Sequence, residues 1–438
     1  MSNLTAAAAI YLAPLLAFLS FYAWRRRRHH ERSLNFLSES LAAGLSEPDS
    51  LHPVIDHLRC IGCGSCVSAC PEHDVLGLID RKAKLVSPAD CIGHGACKAA
   101  CPEDAIRLVF GTATRGVELP ELSPEFQSSV PGVFIAGELG GMGLIRNAIE
   151  QGRQAMDSIR QHVAGKSGNA NVLDAVIVGA GPAGLSATLR ARELNLNSVT
   201  IDQDAVGGTV AHFPRGKLVM TAPARLPLVG QVKFSEISKE ALMEFWHQVI
   251  AEHNITVRDQ ESLQNVTRRD DGVLEVETSN ARYLSRAVLL AIGRRGTPRK
   301  LGVPGEDSSK VTYRMTDPAQ YAGEKVLVVG GGDSALEAAC EIAELGQAEV
   351  SLSYRGDAFK RAKPRNRLRV ERLESEDRLT VLLGTQVKEI SDRAVAIRRG
   401  DERIVLPNTS IIVCAGGILP TPFLKKIGIE VVKKYGTE

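Results

Sequence analysis

The sequence predicts an α/β fold built on two parallel sheets, joined to a small α+β domain and one N-terminal transmembrane helix. Three observations carry this. Apolar strands run into glycine-rich loops and then into helices at 173–193 and again at 324–345. Seven of the nine cysteines fall in two short runs between Cys60 and Cys101. An uncharged stretch of 21 residues, Leu4 to Trp24, precedes four arginines. A chain of 438 residues is too long for one ordinary core and suggests two to four domains.

Composition narrows the function classes. The net charge of +2 gives no global pull toward nucleic acid or acidic partners. Aromatics make up 5%, with no basic–aromatic interleaving, so nucleic-acid binding has no support. An odd number of clustered cysteines is not a disulfide framework; it points to thiolate ligation in a reducing compartment.

Taken in chain order, the first element is the uncharged stretch. At 1.5 Å per residue it can cross a hydrocarbon core of roughly 30 Å. Trp24 closes it as an interfacial aromatic, and Arg25 to Arg28 with His29 and His30 follow at once. The positive-inside rule then puts the rest of the chain on the cytoplasmic side, as a single-pass protein of the cell inner membrane with the bilayer as a partner. A cleaved signal peptide would need positive charge before the run and a small-residue cleavage site after it, and neither is present. Residues 1–30 are read as anchor and basic flank, and 31–52 as a linker with a short amphipathic helix.

The first cysteine run is Cys60, Cys63, Cys66 and Cys70, followed by Pro71; the second is Cys91, His94, Cys97 and Cys101, followed by Pro102. Two such runs resemble bacterial ferredoxins with two [4Fe-4S] clusters, over residues 53–110. In that family the fourth cysteine of each run serves the other cluster. The resemblance therefore implies one cluster on Cys60, Cys63, Cys66 and Cys101, and a second on Cys70, Cys91 and Cys97 with position 94 as the fourth. His94 leaves three readings open: imidazole ligation of a four-iron cluster, a [3Fe-4S] centre, or loss of the cluster. Zinc, which prefers two separated cysteine pairs, is disfavoured.

The first glycine loop carries Gly179, Gly181, Pro182 and Gly184, with Asp202 18 residues past Gly184 at the end of the next strand. This is the G-x-G-x-x-G fingerprint of a Rossmann-like domain in its strand–loop–helix setting. The glycines allow a tight turn and close pyrophosphate approach, the helix N-terminus favours the phosphates, and the acid suits a ribose. The second loop repeats it at Gly330, Gly332, Asp333, Ser334 and Ala335. Its following strand ends in Tyr354 and Arg355, with Lys360, Arg361, Lys363 and Arg365 beyond. Basic residues there suit a ribose 2′-phosphate, which leans the reading to NADP(H) over NAD(H).

These segments, with "LLAIGRRGTPRKLGVPGED" at 289–307 and "IIVCAGGILPTPFLKKIG" at 411–428, resemble the thioredoxin-reductase-like flavoproteins over residues 115–438. The resemblance implies FAD in the first domain, NAD(P) in the second, and a homodimer. That family closes its flavin domain with a segment of the form PGVFAxGD. Here "PGVFIAGELGG" at 131–141 stands before the first fingerprint, so the flavin domain reads as circularly permuted, with Gly137 and Glu138 in the flavin-contacting positions. The domains are then 111–163 for the permuted part of the FAD domain, 164–171 for a linker, 172–297 for the FAD domain, 298–405 for the NAD(P) domain and 406–438 for the return.

No redox C-x-x-C lies in the nucleotide domain, and Ala183 stands where bacillithiol-disulfide-reductase-like relatives place a cysteine. The function expected is therefore electron transfer, with no side chain acting as acid, base or nucleophile. Electrons pass between nicotinamide, FAD, two iron–sulfur clusters and a redox partner: a quinone-reactive or cytochrome subunit at the membrane, or a soluble carrier. A redox-sensing subunit, or a disulfide reductase working on a partner's thiols, are the alternatives. The loop at 213–228 has no assigned role.

Overall fold

Cysteine runs and glycine loops fall in different units of the chain: Met1–Val117 with Lys434–Glu438, and Glu118–Lys433. The computed structural model describes residues 2–42, 48, 51–72, 74–91, 93–113, 116–141, 143–165, 171–213, 218–220, 223–232, 237–294, 296–359 and 362–436, and of residues 2–15, 218, 220 and 297 the backbone alone.

The first unit opens with one unbroken helix, Ser2–Ala42. It corrects two expectations. Residues 32–42 are the last turns of this helix rather than a separate short one. Among the described residues no helix is long and apolar enough to cross a membrane, so the transmembrane helix and the single-pass inner-membrane placement fall, and the bilayer partner has no support. The side chains of Leu4 to Pro14 lie outside the described residues, and Arg25 to Arg28 continue the same helix into charge.

The end of this helix docks on the cysteine-rich domain. Ser33 and Ser40 are buried, and Arg32 pairs with Asp74 at 2.6 Å. Gly77 is glycine for this reason: a Cβ there would lie 2.5 Å from Ser33 Oγ. Strands Leu51–Ile55 and Ile106–Phe110 pair antiparallel, from Leu51 opposite Phe110 to Ile55 opposite Ile106. A hairpin joins Leu76–Ile79 to Lys82–Leu85. Its two turn residues, Asp80 and Arg81, have φ of 52° and 63°, the left-handed pair that a tight hairpin requires. Between the strands lie two short helices, Ser65–Ala69 and Ala96–Ala99. The core is small, and Cys66 and Cys97 are part of it beside Leu76, Ala83 and Ile106.

The second unit holds two five-stranded parallel sheets. The first runs Val257–Arg258, Ser198–Ile201, Ala175–Val178, Val288–Leu290 and Val133–Ile135 in spatial order. Strands Ala175–Val178 and Val288–Leu290 are apolar along their whole length because both faces of the sheet are covered, one by helices Ile145–Val163 and Pro182–Glu193 and the other by strands from 263–285. The edge strand Val133–Ile135 comes from the segment before the first glycine loop. It pairs in parallel with Val288–Leu290, Val133 opposite Val288. Helix Ile145–Val163 then packs on helix Pro182–Glu193, so closely that a Cβ on Gly152 would lie 2.0 Å from Ala183 O. This is the permuted arrangement. Residues 166–170 of the expected linker lie outside the described residues.

The second sheet runs Val311–Thr312, Ser410–Val413, Lys325–Val329, Glu349–Tyr354 and Thr380–Leu383, all parallel. Each sheet carries a three-stranded antiparallel meander, at 263–285 and 385–407. The two crossings between the halves pair with each other, Thr297 opposite Ile418 and Pro298 opposite Gly417. Gly296 takes φ +58° there, with no room for a Cβ against Ile418 O at 1.7 Å.

Candidate cofactor and cluster sites

Strand Ala175–Val178 ends in Gly179, whose φ is +106° and whose Cβ would meet Ala291 O at 2.5 Å. Gly181 is the N-cap of helix Pro182–Glu193, with Pro182 at its first position. The nearest atom to a Cβ on Gly181 would be Gly208 Cα, 3.9 Å away, so the backbone there is open to a ligand. Gly184 plays a different part: its Cβ would fall 1.7 Å from Gly179 O. These are the three separate reasons for glycine that a pyrophosphate-binding turn has: the turn, the ligand's approach and helix packing.

Asp202 lies buried at the end of the neighbouring strand. Ala180 N–H donates to its Oδ2, and Asp204 N–H donates to its Oδ1 at 2.8 Å. Burial raises its pKa against the pull of those two amides. The carboxylate thus braces the glycine loop as well as lying beside it. A second loop completes the cradle. Gly207 and Gly208 have φ of +104° and +55°, and a Cβ on Gly208 would sit 3.0 Å from Gly181 Cα. Sequence reasoning passed over this pair, which had only the double glycine to mark it.

The permuted segment arrives at the same end of the sheet. Gly137 takes φ +83°, and its Cβ would lie 3.1 Å from Ala183 Cβ. Its N–H donates to Gln151 Oε1 at 2.8 Å. Glu138 follows, half-buried, at the start of the turn Glu138–Gly140. Gly137, Glu138, Gly179, Gly181, Pro182, Gly184 and Asp202 therefore gather at the carboxyl ends of one parallel sheet, where ligands of open α/β sheets bind. The cradle fits a dinucleotide such as FAD.

The second loop has the same plan with different wedges. Gly330 has φ +151°, and its Cβ would lie 2.4 Å from Cys414 O. Gly332, the N-cap of helix Asp333–Leu345, has nothing within 4 Å of a Cβ position. Gly331 is shaped by Tyr354, whose ring lies 2.3 Å from the Cβ position. That ring stacks on Phe359 at 5.6 Å between centroids. Asp333 turns away from the open face: Lys363 N–H at 2.8 Å and Asn366 Nδ2 at 2.7 Å both donate to its Oδ1. An acid at a phosphate-binding helix start is thereby engaged by the next helix. Ser334 remains at the helix start, its carbonyl accepting from Cys414 Sγ at 3.8 Å. Arg355 is exposed at the end of strand Glu349–Tyr354. Arg361 lies outside the described residues.

The cysteines gather into two hollows. One is lined by Cys60, Cys63, Cys66 and Cys101. The other is lined by Cys70, Cys91, His94 and Cys97. Each run thus gives its last cysteine to the other's hollow. Among the described residues no three His, Cys, Asp or Glu side chains converge on a single ion. The first hollow has polar support: Lys82 Nζ donates to Cys60 O at 2.6 Å, and Ala105 N–H donates to Cys101 Sγ at 3.3 Å. Burial pushes the Cys66 and Cys97 thiols up to about 11, so iron must displace their protons when it binds.

The other two cysteines do not form a redox pair. All nine are free thiols. Burial pushes Cys340, in helix Asp333–Leu345, up to about 11 and Cys414 up to about 12, far from the lowered values of a reactive thiolate.

A family model described as "Pyridine nucleotide-disulphide oxidoreductase" matches residues 176–437, and one described as "4Fe-4S dicluster domain" matches residues 52–102. Among curated proteins the chain is similar to bacilliredoxin reductase Bdr of Bacillus subtilis (strain 168), 27% identical over 268 residues, 60% of this chain and 82% of that protein. It is 31% identical over 187 residues to a ferredoxin–NADP reductase of Ignicoccus hospitalis, 43% of this chain and 58% of the relative. It is 33% identical over 235 residues to a ferredoxin–NADP reductase of Leptothrix cholodnii, 52% of this chain and 61% of the relative. Less than two thirds of either ferredoxin–NADP reductase is therefore spanned. Among solved structures, the bacillithiol disulfide reductase Bdr of Staphylococcus aureus aligns with a TM-score of 0.49 at 23% identity, over 58% of this chain and 80% of that one. FAD and NADP(H) are the cofactors of this family, and the dicluster domain is one for two [4Fe-4S] clusters. Two glycine cradles and two cysteine hollows provide for all four groups, and the chain belongs to the pyridine nucleotide-disulphide oxidoreductase family, as a thioredoxin-reductase-like enzyme that also carries a 4Fe-4S dicluster domain.

Proposed function

We propose that the chain is an NAD(P)H-dependent oxidoreductase that passes electrons between a pyridine nucleotide, FAD, two iron–sulfur clusters and a separate electron-carrier protein. The observation that carries this reading is the pairing of two cysteine-lined hollows with two glycine cradles, in a chain whose other two thiols, buried Cys340 and half-buried Cys414, are pushed up in pKa by burial. When bound, the flavin exchanges electron pairs with nicotinamide and single electrons with the clusters. The protein's own part is to bind and to position. Backbone amides at Gly181 and at Gly332, each at a helix N-terminus, hold pyrophosphates. Asp202 keeps the first loop in shape while its carboxylate stands ready for a ribose hydroxyl. Arg355 serves a ribose 2′-phosphate, which favours NADPH over NADH. Cys60, Cys63, Cys66 and Cys101 hold the first cluster; Cys70, Cys91 and Cys97 hold the second. Names of relatives point to two kinds of partner, a ferredoxin and a bacilliredoxin. The cluster hollows and the buried thiols favour the electron carrier. A homodimer follows from the resemblance alone.

Anaerobic steady-state turnover of the purified, cofactor-loaded protein is the test. NADPH oxidation with ferricyanide or a low-potential ferredoxin as acceptor is expected, with little turnover on bacillithiol disulfide or other small disulfides. Thiol release from a small disulfide at rates exceeding carrier reduction would reverse the assignment. No turnover with any acceptor would leave a sensing subunit as the better description. Sedimentation of the same sample reports the dimer.

A further inference from the structure

The second cluster hollow differs from the first in one donor, and the backbone around that donor is the same in both. Cys63 stands between Gly62 and Gly64, with φ of +72° and +81°. His94 stands between Gly93 and Gly95, with φ of +77° and +74°. Gly64 and Gly95 each cap a short helix, Ser65–Ala69 and Ala96–Ala99. The outer glycine of each turn is wedged against a carbonyl: a Cβ on Gly62 would meet Arg81 O at 2.0 Å, and one on Gly93 would meet Leu51 O at 2.6 Å. Positions 63 and 94 are thus the same point of a repeated turn. The chain has kept the left-handed glycines and the wedge at the second copy, and changed the side chain.

The second hollow is walled by Pro53, Val75, Leu76 and Leu108, besides the cysteines. His94 lines it, and its Nε2 is buried there. The other nitrogen- or oxygen-bearing side chain on the lining, Glu72, is exposed.

We infer that His94 is the fourth ligand of the second cluster, so that this site holds a four-iron cluster with one imidazole and three thiolates. The inference rests on the two-cluster reading of the preceding section. A neutral imidazole in place of a thiolate removes one negative charge from the cluster's surroundings, which moves its potential upward, as in other centres where His replaces Cys. The second cluster is then the stronger electron acceptor of the two, and the pair is polarised within one small domain.

Pulsed EPR of the full-length protein reduced with dithionite tests this. One of the two clusters is expected to show a nitrogen hyperfine coupling that changes to the ¹⁵N pattern when the protein is made with ¹⁵N-histidine, a comparison that leaves the sequence untouched. The coupling is expected to vanish in His94→Ala and in His94→Cys and to persist in Glu72→Gln. In His94→Cys the midpoint potential of that cluster is expected to shift negative. Absence of histidine coupling on either cluster would overturn the inference. So would a coupling that survives His94→Ala, a three-iron signal in the oxidised wild type, or a wild type with one cluster only. Dithionite reduces the clusters whatever the nucleotide does, so failure of NADPH to reduce them would strike the proposed function and leave this ligand assignment standing.

Discussion

Gly184→Ala is the substitution whose outcome the structure sets most sharply. The third position of the second glycine loop is already alanine, Ala335, so the same change in the first loop looks harmless on paper. The two loops differ in geometry. Gly330 takes φ +151° and Gly179 φ +106°, and at position 184 the added Cβ would lie 1.7 Å from Gly179 O. Bringing that pair to an ordinary contact requires a shift of more than 1 Å between helix Pro182–Glu193 and the loop, on the order of the overpacking that costs ~1–3 kcal/mol in a packed core. The loop cannot yield toward the sheet, because Gly179 is itself wedged against Ala291 O. The strain therefore falls on the amides at Gly181. Each ~1.4 kcal/mol of misfit weakens FAD binding about tenfold. Gly332→Ala is the control: nothing lies within 4 Å of its Cβ position, so the fold should not register it and NADPH binding should. The assay is the ratio of flavin to protein absorbance after purification, with a thermal melt. Gly184→Ala is expected to lose most of its flavin and to melt lower by roughly 2–4 °C per kcal/mol. Gly332→Ala should keep its flavin and raise the KM for NADPH. A Gly184→Ala protein with full flavin and an unchanged melt would refute the packing argument.

Arg355→Ala should raise the KM for NADPH about tenfold, the loss of one charge-assisted hydrogen bond, and leave that for NADH unchanged; equal effects on both would remove the 2′-phosphate role. Cys101→Ser should abolish the signal of the cluster on Cys60, Cys63 and Cys66 and spare the other, and Cys70→Ser should do the reverse. Loss within the mutated run instead would contradict the crossed hollows. Glu306→Gln should show a pH-dependent deficit. Burial works to raise the Glu306 pKa, but Leu301 N–H, Gly302 N–H and Tyr313 Oη–H all donate to the carboxylate and hold it below the usual range. A depressed carboxyl stabilises the fold above its unfolded pKa and loses that contribution as pH falls through the folded one. The variant should thus be about 1–3 kcal/mol less stable at neutral pH, with the difference closing in acid. A constant difference across pH would show that the charge is not what matters.

Much of this was legible in the residues. Strand, glycine loop and helix occur in that order twice, and no other arrangement satisfies those glycines. The segment "PGVFIAGE" stood out through its likeness to the closing segment of thioredoxin-reductase-like flavoproteins, and the sheet gives it the place beside Val288–Leu290. The crossed cysteine sets were implied by the likeness to two-cluster ferredoxins. What stayed hidden depends on contacts between distant residues. Asp333 is held by Lys363 and Asn366, about 30 residues on, and local sequence cannot choose between that and a ligand-facing pose. The Tyr354 ring against Gly331 and the Gly207–Gly208 loop against Gly181 are of the same kind. The N-terminal helix misled for another reason. Uncharged residues alone set the expected boundary at Trp24, whereas a helix propagates through arginine as readily as through leucine, and this one runs on to Ala42.

The account stands on electrons passing from a pyridine nucleotide to the clusters inside one protein. Anaerobic titration of the loaded protein with NADPH, followed by flavin absorbance and EPR together, measures that directly. Flavin bleaching followed by the appearance of reduced-cluster signals, with the second cluster filling first, is the expected result. Clusters that stay oxidised after the flavin is fully reduced, yet accept electrons from dithionite, would contradict it.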